Sequence, residues 1–326
     1  MQKSWKPWII SFCAIFGTTW ASDWGFYGHR KINYMAVFTL PVDVLPFFKE
    51  NIHYLSENAP APDLRRSLVA GEDARHYIDL DRYGQNPFVE IPKKYSDAIT
   101  KFSEDSLLAH GIAPWNLEIF YNKLVWAFKH KNRTQILRYA ADLGHYCGDL
   151  HVPLHTTQNY NGQLTGQKGI HGLWESRLPE LLGEEYDYFA GRAGYVKNVL
   201  DLAWQMAFES YQAVDSVLSI EKQVSEKFQD RKYSYEQKSG LMQRVYAQSF
   251  SKAYHQDMQG MVEKRMRLAI VRLGSLWYSA WIDAGQPNLT EVLKDPITVD
   301  FQKERDSLLE LKNKQEPTKK LGREHE

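Results

Sequence analysis

Apolar residues in the second half of the chain recur at steps of three and four. Val196, Val199, Leu200, Ala203, Trp204, Ala207, Phe208 and Tyr211 form one stripe. Val262, Met266, Ala269, Ile270, Leu273, Leu276, Trp277 and Ala280 form another, and Gly285 and Pro287 stop it. That period places each set on one face of a helix. Leu117, Phe120, Tyr121, Leu124, Val125 and Phe128 make a third run, opened by Pro114, and a fourth runs from Thr134 towards Pro153. No stretch sustains a polar–apolar alternation between turn dipeptides, so no large sheet is expected. The expected fold class is all-α, a single large multi-helix domain without internal repeats. Asn58 to Asp63, with two prolines, and Gln158 to Gly169, with three glycines and several amides, read as loops. From about Asp300 the chain is charged and poor in apolar residues after Leu311, which reads as a mobile, solvated tail over 300–326.

The N-terminus has a different pattern. Lys3 and Lys6 precede a short apolar core, Trp8 to Phe16, and then the mostly small residues Thr18 to Ser22. This reads as a secretory signal peptide over 1–23, with export to the periplasm or the extracellular space. The apolar core is too short to span a bilayer comfortably. Cys13 leaves with the signal, so the mature chain keeps Cys147 alone and has no internal disulfide. The fold must then be held by its core or by metals. Cys147 reads as a small buried residue.

Of the 326 residues, 43% are hydrophobic and 25% charged, which fits a globular domain and excludes a disordered chain or a multi-pass membrane protein. Lys plus Arg and Asp plus Glu both number 40. With no net charge there is no global field for nucleic acid or anionic lipid, so a polyanion must be held by a local site.

The candidate for that site is Leu143-Gly144-His145-Tyr146-Cys147-Gly148-Asp149-Leu150-His151-Val152-Pro153-Leu154-His155. His145 and Asp149 are four apart, one turn of the same helix face. Pro153 ends the helix, and His155 can fold back towards them. His171 and Glu175 repeat the spacing after the glycine-rich loop. Either pair alone is more often a surface pair or a capped core histidine. Two pairs plus His155 crowd imidazole and carboxylate together, which a helix tolerates when a cation binds them, and the mixture suits zinc.

These residues, with two further motifs, resemble the zinc-dependent family that joins the single-strand-specific nucleases to bacterial phospholipase C. Trp24-Gly25-Phe26-Tyr27-Gly28-His29 is similar to that family's mature start. Pro62-Asp63-Leu64-Arg65 and His76-Tyr77-Ile78-Asp79 are similar to the segment binding its first zinc. The resemblance runs from Trp24 to about Gly285 and implies an all-helical domain over 24–299 with three zinc ions. It implies that Asp63, His76, His145 and Asp149 hold one ion, and that His155, His171 and Glu175 hold the second. His29, Asp149 as a bridge and the amino and carbonyl groups of Trp24 would hold the third. Three dications against three carboxylates leave about +3, a strong anion site on a neutral protein. The implied activity is phosphodiester hydrolysis by metal-activated water, with Asp63 orienting that water.

Glu175 and Ser176 lean towards the phospholipases, because the nucleases usually place Asp and Asn there. Tyr77 and Asp79 lean towards the nucleases, which place an aromatic and an acid beside a bound base. The expected substrate is therefore single-stranded nucleic acid or a phospholipid headgroup, with no stable protein partner implied. The alternative is a non-catalytic, zinc-stabilised structural or binding protein. His151 reads as a supporting residue, and Arg65 and Arg66 as phosphate contacts or structural ion pairs. Small residues favour signal cleavage after Ala21, so further trimming is expected to free Trp24.

Overall fold

The structure is a computed structural model that describes residues 25–314 except 239. The segment read as a signal peptide, 1–23, the expected ligand Trp24 and the end of the tail, 315–326, lie outside the described residues.

The architecture is all-α, as the stripes predict. Its principal helices are α1 (Arg30–Ala36), α2 (Ile52–Glu57), α3 (Ala61–Arg65), α4 (Ala113–Lys129), α5 (Arg133–Asp149), α6 (Val199–Phe228), α7 (Gln248–Asp257), α8 (Met261–Asp283) and α9 (Phe301–Lys314). A tight turn joins α4 to α5, which makes them packed neighbours, and α8 lies against both as well as against α1. The long α6 covers α4 and the Pro153–Thr156 turn that follows α5. At the junction the Phe48 and Trp277 rings stack at 4.8 Å. The Trp277 indole also donates to the Ala140 carbonyl at 3.0 Å. None of the described helices is long and apolar enough to cross a membrane.

Helix α5 is the central element. Every residue from Ala140 to Asp149 is buried, so its polar members have no access to bulk water and need partners inside the protein. Two glycines let α1 and its preceding turn reach this helix. A Cβ on Gly144 would lie 1.9 Å from Asn33 Oδ1, and one on Gly148 would lie 2.8 Å from His29 Nδ1. The Asn33 amide uses the closeness, donating to Leu55 O at 2.9 Å and to Ala141 O at 3.2 Å.

Four elements differ from the sequence reading. The segment 58–63 is a turn only as far as Pro60, and then α3 begins. Pro62 sits in its first turn, where a proline needs no N–H partner, so the second proline marks a start and not a break. Helix α6 begins at Val199, where the Asn198 side chain accepts from Asp201 N at 3.0 Å, so Val196 precedes it. A hairpin, β1 (Tyr233–Lys238) and β2 (Leu241–Tyr246), pairs antiparallel with Tyr235 opposite Arg244. Within the segment read as a charged tail, α9 is anchored by Phe301, whose ring lies 4.2 Å from that of Tyr54, and by Glu304, which accepts from Arg138 at 2.5 Å.

Candidate metal centre

Four side chains from three chain segments converge on one point. Asp63 comes from α3, and His76 follows the tight turn Asp73–Arg75. His145 and Asp149 lie one turn apart at the end of α5. His76 Nδ1 and His145 Nε2 are 3.0 Å apart. Asp149 Oδ2 is 3.0 Å from the first and 3.3 Å from the second. Asp63 Oδ1 is 3.6 Å and 3.5 Å from the same two nitrogens. Ligands about 2.0–2.1 Å from a tetrahedral zinc stand about 3.3 Å from one another, so these edges frame a zinc-sized hole with an N₂O₂ donor set.

The electrostatics are those of a cation site. Burial alone would raise the Asp63 and Asp149 carboxyls, but His145 and its neighbours hold both below the usual range, Asp149 well below it. Burial and the Arg66 cation push the His76 imidazole down to about 4, so its nitrogen is unprotonated at neutral pH and has a lone pair to give.

The second cluster makes the case by its outer bonds. His155 Nδ1 donates to His76 O at 2.6 Å, and His171 Nδ1 donates to Tyr160 O at 3.1 Å. With those N–H groups committed, each neutral ring turns an Nε2 lone pair inward. Both lone pairs meet the same oxygen, Glu175 Oε2, which is 3.1 Å from His155 and in close contact with His171. Three acceptors facing one another require a cation between them. In the metal-free chain a proton fills that role, since Glu175 and Asp149 raise the His155 pKa to about 9 against the lowering effect of burial, and a bound metal ion would displace it. His171 lies on a short helical turn that widens into a π-helical one over Leu173–Arg177, a distortion common at functional sites.

A third group joins the first. His29 Nε2 lies 3.3 Å from Asp149 Oδ1, and its ring stacks on His145 at 3.9 Å. Asp149 thus turns one oxygen to each group, as a bridge would. His29 closes a π-helical turn, Gly25–His29. Each of the three groups could hold a metal ion. All the expected ligands within the described residues are brought together.

Other expected residues stand apart. Tyr77 is 1% exposed, its hydroxyl 3.4 Å from Ala109 O, so a stacked base would first have to uncover the ring. Asp79 is buried beside it, its backbone N–H bonded to His110 O at 2.7 Å. Arg65 is a structural ion pair with Asp142 at 2.9 Å. Arg66 grips Asp73 through two nitrogens at 3.0 and 2.8 Å and stands 3.6 Å from Asp63. His151 supports the motif: it donates to Cys147 O at 2.7 Å and accepts from Arg272 at 3.0 Å. Burial and the nearby guanidiniums of Arg265 and Arg272 keep it neutral.

Glu72 escaped the sequence reading. Buried behind the first group, it accepts from Arg75 at 2.5 Å and from the Tyr146 hydroxyl. The Tyr146 ring in turn stands edge-on to His76 and His145 at 5.4 and 5.5 Å. Its signal was present, since Glu72 and His76 are a further acid–histidine pair four residues apart.

No curated protein matches the chain by sequence. The family model described as S1/P1 Nuclease matches residues 24–280, a span containing every residue of the three groups. The resemblance carried by the four motifs is thereby shown: this chain belongs to the S1/P1 nuclease family, a family of zinc-dependent phosphodiester hydrolases.

Proposed function

We propose that the protein is an exported, zinc-dependent nuclease that hydrolyses single-stranded nucleic acid with water as the nucleophile. The observation that carries the reading is the convergence of His155, His171 and Glu175 with their remaining N–H groups bonded outward. In this reading Asp63, His76, His145 and Asp149 hold one zinc, and His155, His171 and Glu175 a second. His29 and Asp149, with the amino and carbonyl groups of Trp24, hold a third. When bound, the ions supply Lewis acidity to the phosphate and to water, and about +3 of local charge after the three carboxylates.

The chain's own residues supply the rest. Tyr160 and His76 fix the second pair of imidazoles through their carbonyls, which sets the tautomers. Arg66 and the Asp73 it grips hold Asp63 at the edge of the first group. There Asp63 orients the attacking water and draws on its proton. No Ser or Cys nucleophile is required. Burial pushes the Cys147 thiol up to about 12, so it carries no thiolate at neutral pH.

A second reading, hydrolysis of a phospholipid headgroup, is favoured by Glu175 and Ser176 at the second group. One experiment separates them. Processed, zinc-loaded protein is incubated in parallel with single-stranded DNA and with phosphatidylcholine micelles. Release of nucleotides supports the nuclease, and release of phosphocholine the phospholipase. Neither product, with zinc bound, returns the protein to the non-catalytic alternative. N-terminal mass analysis of the exported chain tests whether Trp24 is the first residue.

A further inference from the structure

The hairpin β1–β2 is fixed to the segment that carries the second group. Arg177, two residues beyond Glu175, bonds both oxygens of Glu236 at 2.9 and 2.5 Å. The Tyr246 hydroxyl reaches Lys168 O at 3.4 Å, three residues before His171. The register divides the hairpin into two faces: Glu236 lies on the face turned to Arg177, and Tyr233, Tyr235, Met242, Arg244 and Tyr246 lie on the other. At the base of that second face, Tyr246 stacks on Phe250 at 5.6 Å, and the Tyr233 and Tyr246 rings are 5.0 Å apart. Further out the face is open. Tyr235 is 68% exposed and Met242 65%, and the Arg244 guanidinium lies over the Tyr233 ring at 3.8 Å. Lys232 is neutralised by Glu221 at 2.5 Å, whereas Arg244 and Arg231 enter no ion pair among the described residues.

We propose that this face, through Tyr235 and Arg244, binds the stretch of single-stranded nucleic acid that extends beyond the cleaved bond. The inference rests on the nuclease reading and names a second contact for the same substrate. The chemistry is a stacking platform with a cation. An exposed tyrosine gives any base a π-face, and a guanidinium already stacked on a ring offers its outer face to a base and its charge to a phosphate. Tyr235 and Arg244 are direct cross-strand partners on this face, close enough for one nucleotide to meet the ring with its base and the guanidinium with its phosphate. The hairpin also supplies what the buried Tyr77 does not, an aromatic ring open to substrate.

The test uses the full zinc-loaded chain and a fluorescent phosphorothioate oligothymidylate of about 12 nucleotides, which keeps its charge while cleavage is slowed. Anisotropy gives Kd for wild type, Tyr235→Ala, Arg244→Ala, the double variant and Tyr235→Phe. Tyr235→Ala should weaken binding at least about five-fold and Tyr235→Phe should restore it, since stacking needs the ring and not the hydroxyl. Arg244→Ala should lower the slope of log Kd against log salt by about 0.7, the value for one phosphate contact on a single strand. Trp126→Ala, an exposed aromatic on α4, should bind as wild type. An unchanged Kd in the double variant overturns the proposal. So does intact oligonucleotide binding with lost sedimentation on phosphatidylcholine–phosphatidylglycerol vesicles, which would make the hairpin a lipid contact. Failure of the nuclease reading looks different: the wild type binds the oligonucleotide and the double variant does not, yet unmodified DNA is never cleaved.

Discussion

Replacing Gly148 by alanine tests whether His29 and Asp149 form a working metal group. The new Cβ would stand 2.8 Å from His29 Nδ1, 3.0 Å from its Cε1 and 3.6 Å from Ile32 Cδ1. An ordinary contact is about 3.4 Å or more, so the imidazole must retreat by roughly 0.6 Å, against the roughly 0.2 Å that a metal–ligand bond tolerates. Its retreat is limited, because the ring is stacked on His145 at 3.9 Å. Stability should change little. Alanine gains about 1 kcal/mol of helix propensity over glycine, and overpacking costs about 1–3 kcal/mol, so the net loss is about 0–2 kcal/mol and a few degrees of Tm. The expected phenotype is selective: a folded protein with one zinc fewer than wild type and activity about 10- to 100-fold lower, as a misplaced group at a reacting centre predicts. Zinc is counted by elemental analysis of dialysed protein, with near-ultraviolet circular dichroism as the check on packing. Wild-type zinc content with wild-type activity would refute the assignment of His29. A lost fold would instead show that the glycine serves packing alone.

Asp149→Asn keeps the side chain's size and removes the charge shared by two groups. It should lower zinc content by at least one ion and activity by more than 100-fold, and survival of both would show that Asp149 does not bridge. In chelated protein, His155 has a folded pKa of about 9 against about 6.5 unfolded, so the folded state binds its proton more tightly. Its contribution, at most about 3 kcal/mol, is complete below pH 6.5 and is lost as pH rises through 9. His76, at about 4, acts in the opposite direction, and stability falls as pH drops from 6.5 towards 4. Urea midpoints of the chelated protein across pH 4–10 should therefore show a maximum near pH 6.5, and a midpoint that climbs steadily through pH 9 would contradict it. Arg272→Met strips His151 Nε2 of its donor and leaves Glu209 without the pair it makes at 2.7 and 2.8 Å. Because Glu209 is partly solvated, the expected cost is about 2 kcal/mol, read as a lower denaturant midpoint at unchanged slope.

The long helices were legible because each buries a single stripe, and an apolar stripe at helical period is the direct mark of a helix packed on one face. Helices α4, α5 and α8 follow from it to within a few residues, whereas the stripe of α6 was read only to Tyr211 and the helix runs on to Phe228. The elements that were not legible lack that signal. The hairpin is half-exposed, and its strands carry polar residues on both sides, Gln237 and Arg244 on one and Ser234, Glu236 and Gln243 on the other, so neither face reads as a core face. Helix α9 is held by one aromatic ring and a few ion pairs, too little apolar surface to show a period. In α3 the two prolines admit two readings, and only the packing against α5 decides between them.

The site divides along a similar line. His145 with Asp149 and His171 with Glu175 were legible from spacing alone, because both partners ride on one helical face. His29, Asp63 and His76 were legible only through resemblance. They come from separate turns, and no local period ties them to α5. Gly144 and Gly148 could not be read at all, since their contribution is a missing side chain. Yet these two glycines let the α1 segment lie against the motif helix, so that His29 meets Asp149. The same closeness accounts for the burial of the ligands. A central helix without water can hold two carboxylates and an imidazole, with further imidazoles packed against it, when each has a fixed partner. The backbone carbonyl of His76 and the pairing of Arg66 with Asp73 provide such partners. Within the groups, the lone pairs of His155 and His171 and the Glu175 carboxylate still face one another. The surrounding fold is therefore arranged for a cation at this point, a place that only the His155 proton fills in the metal-free chain, and this makes bound metal, more than any one residue, the element on which activity should depend.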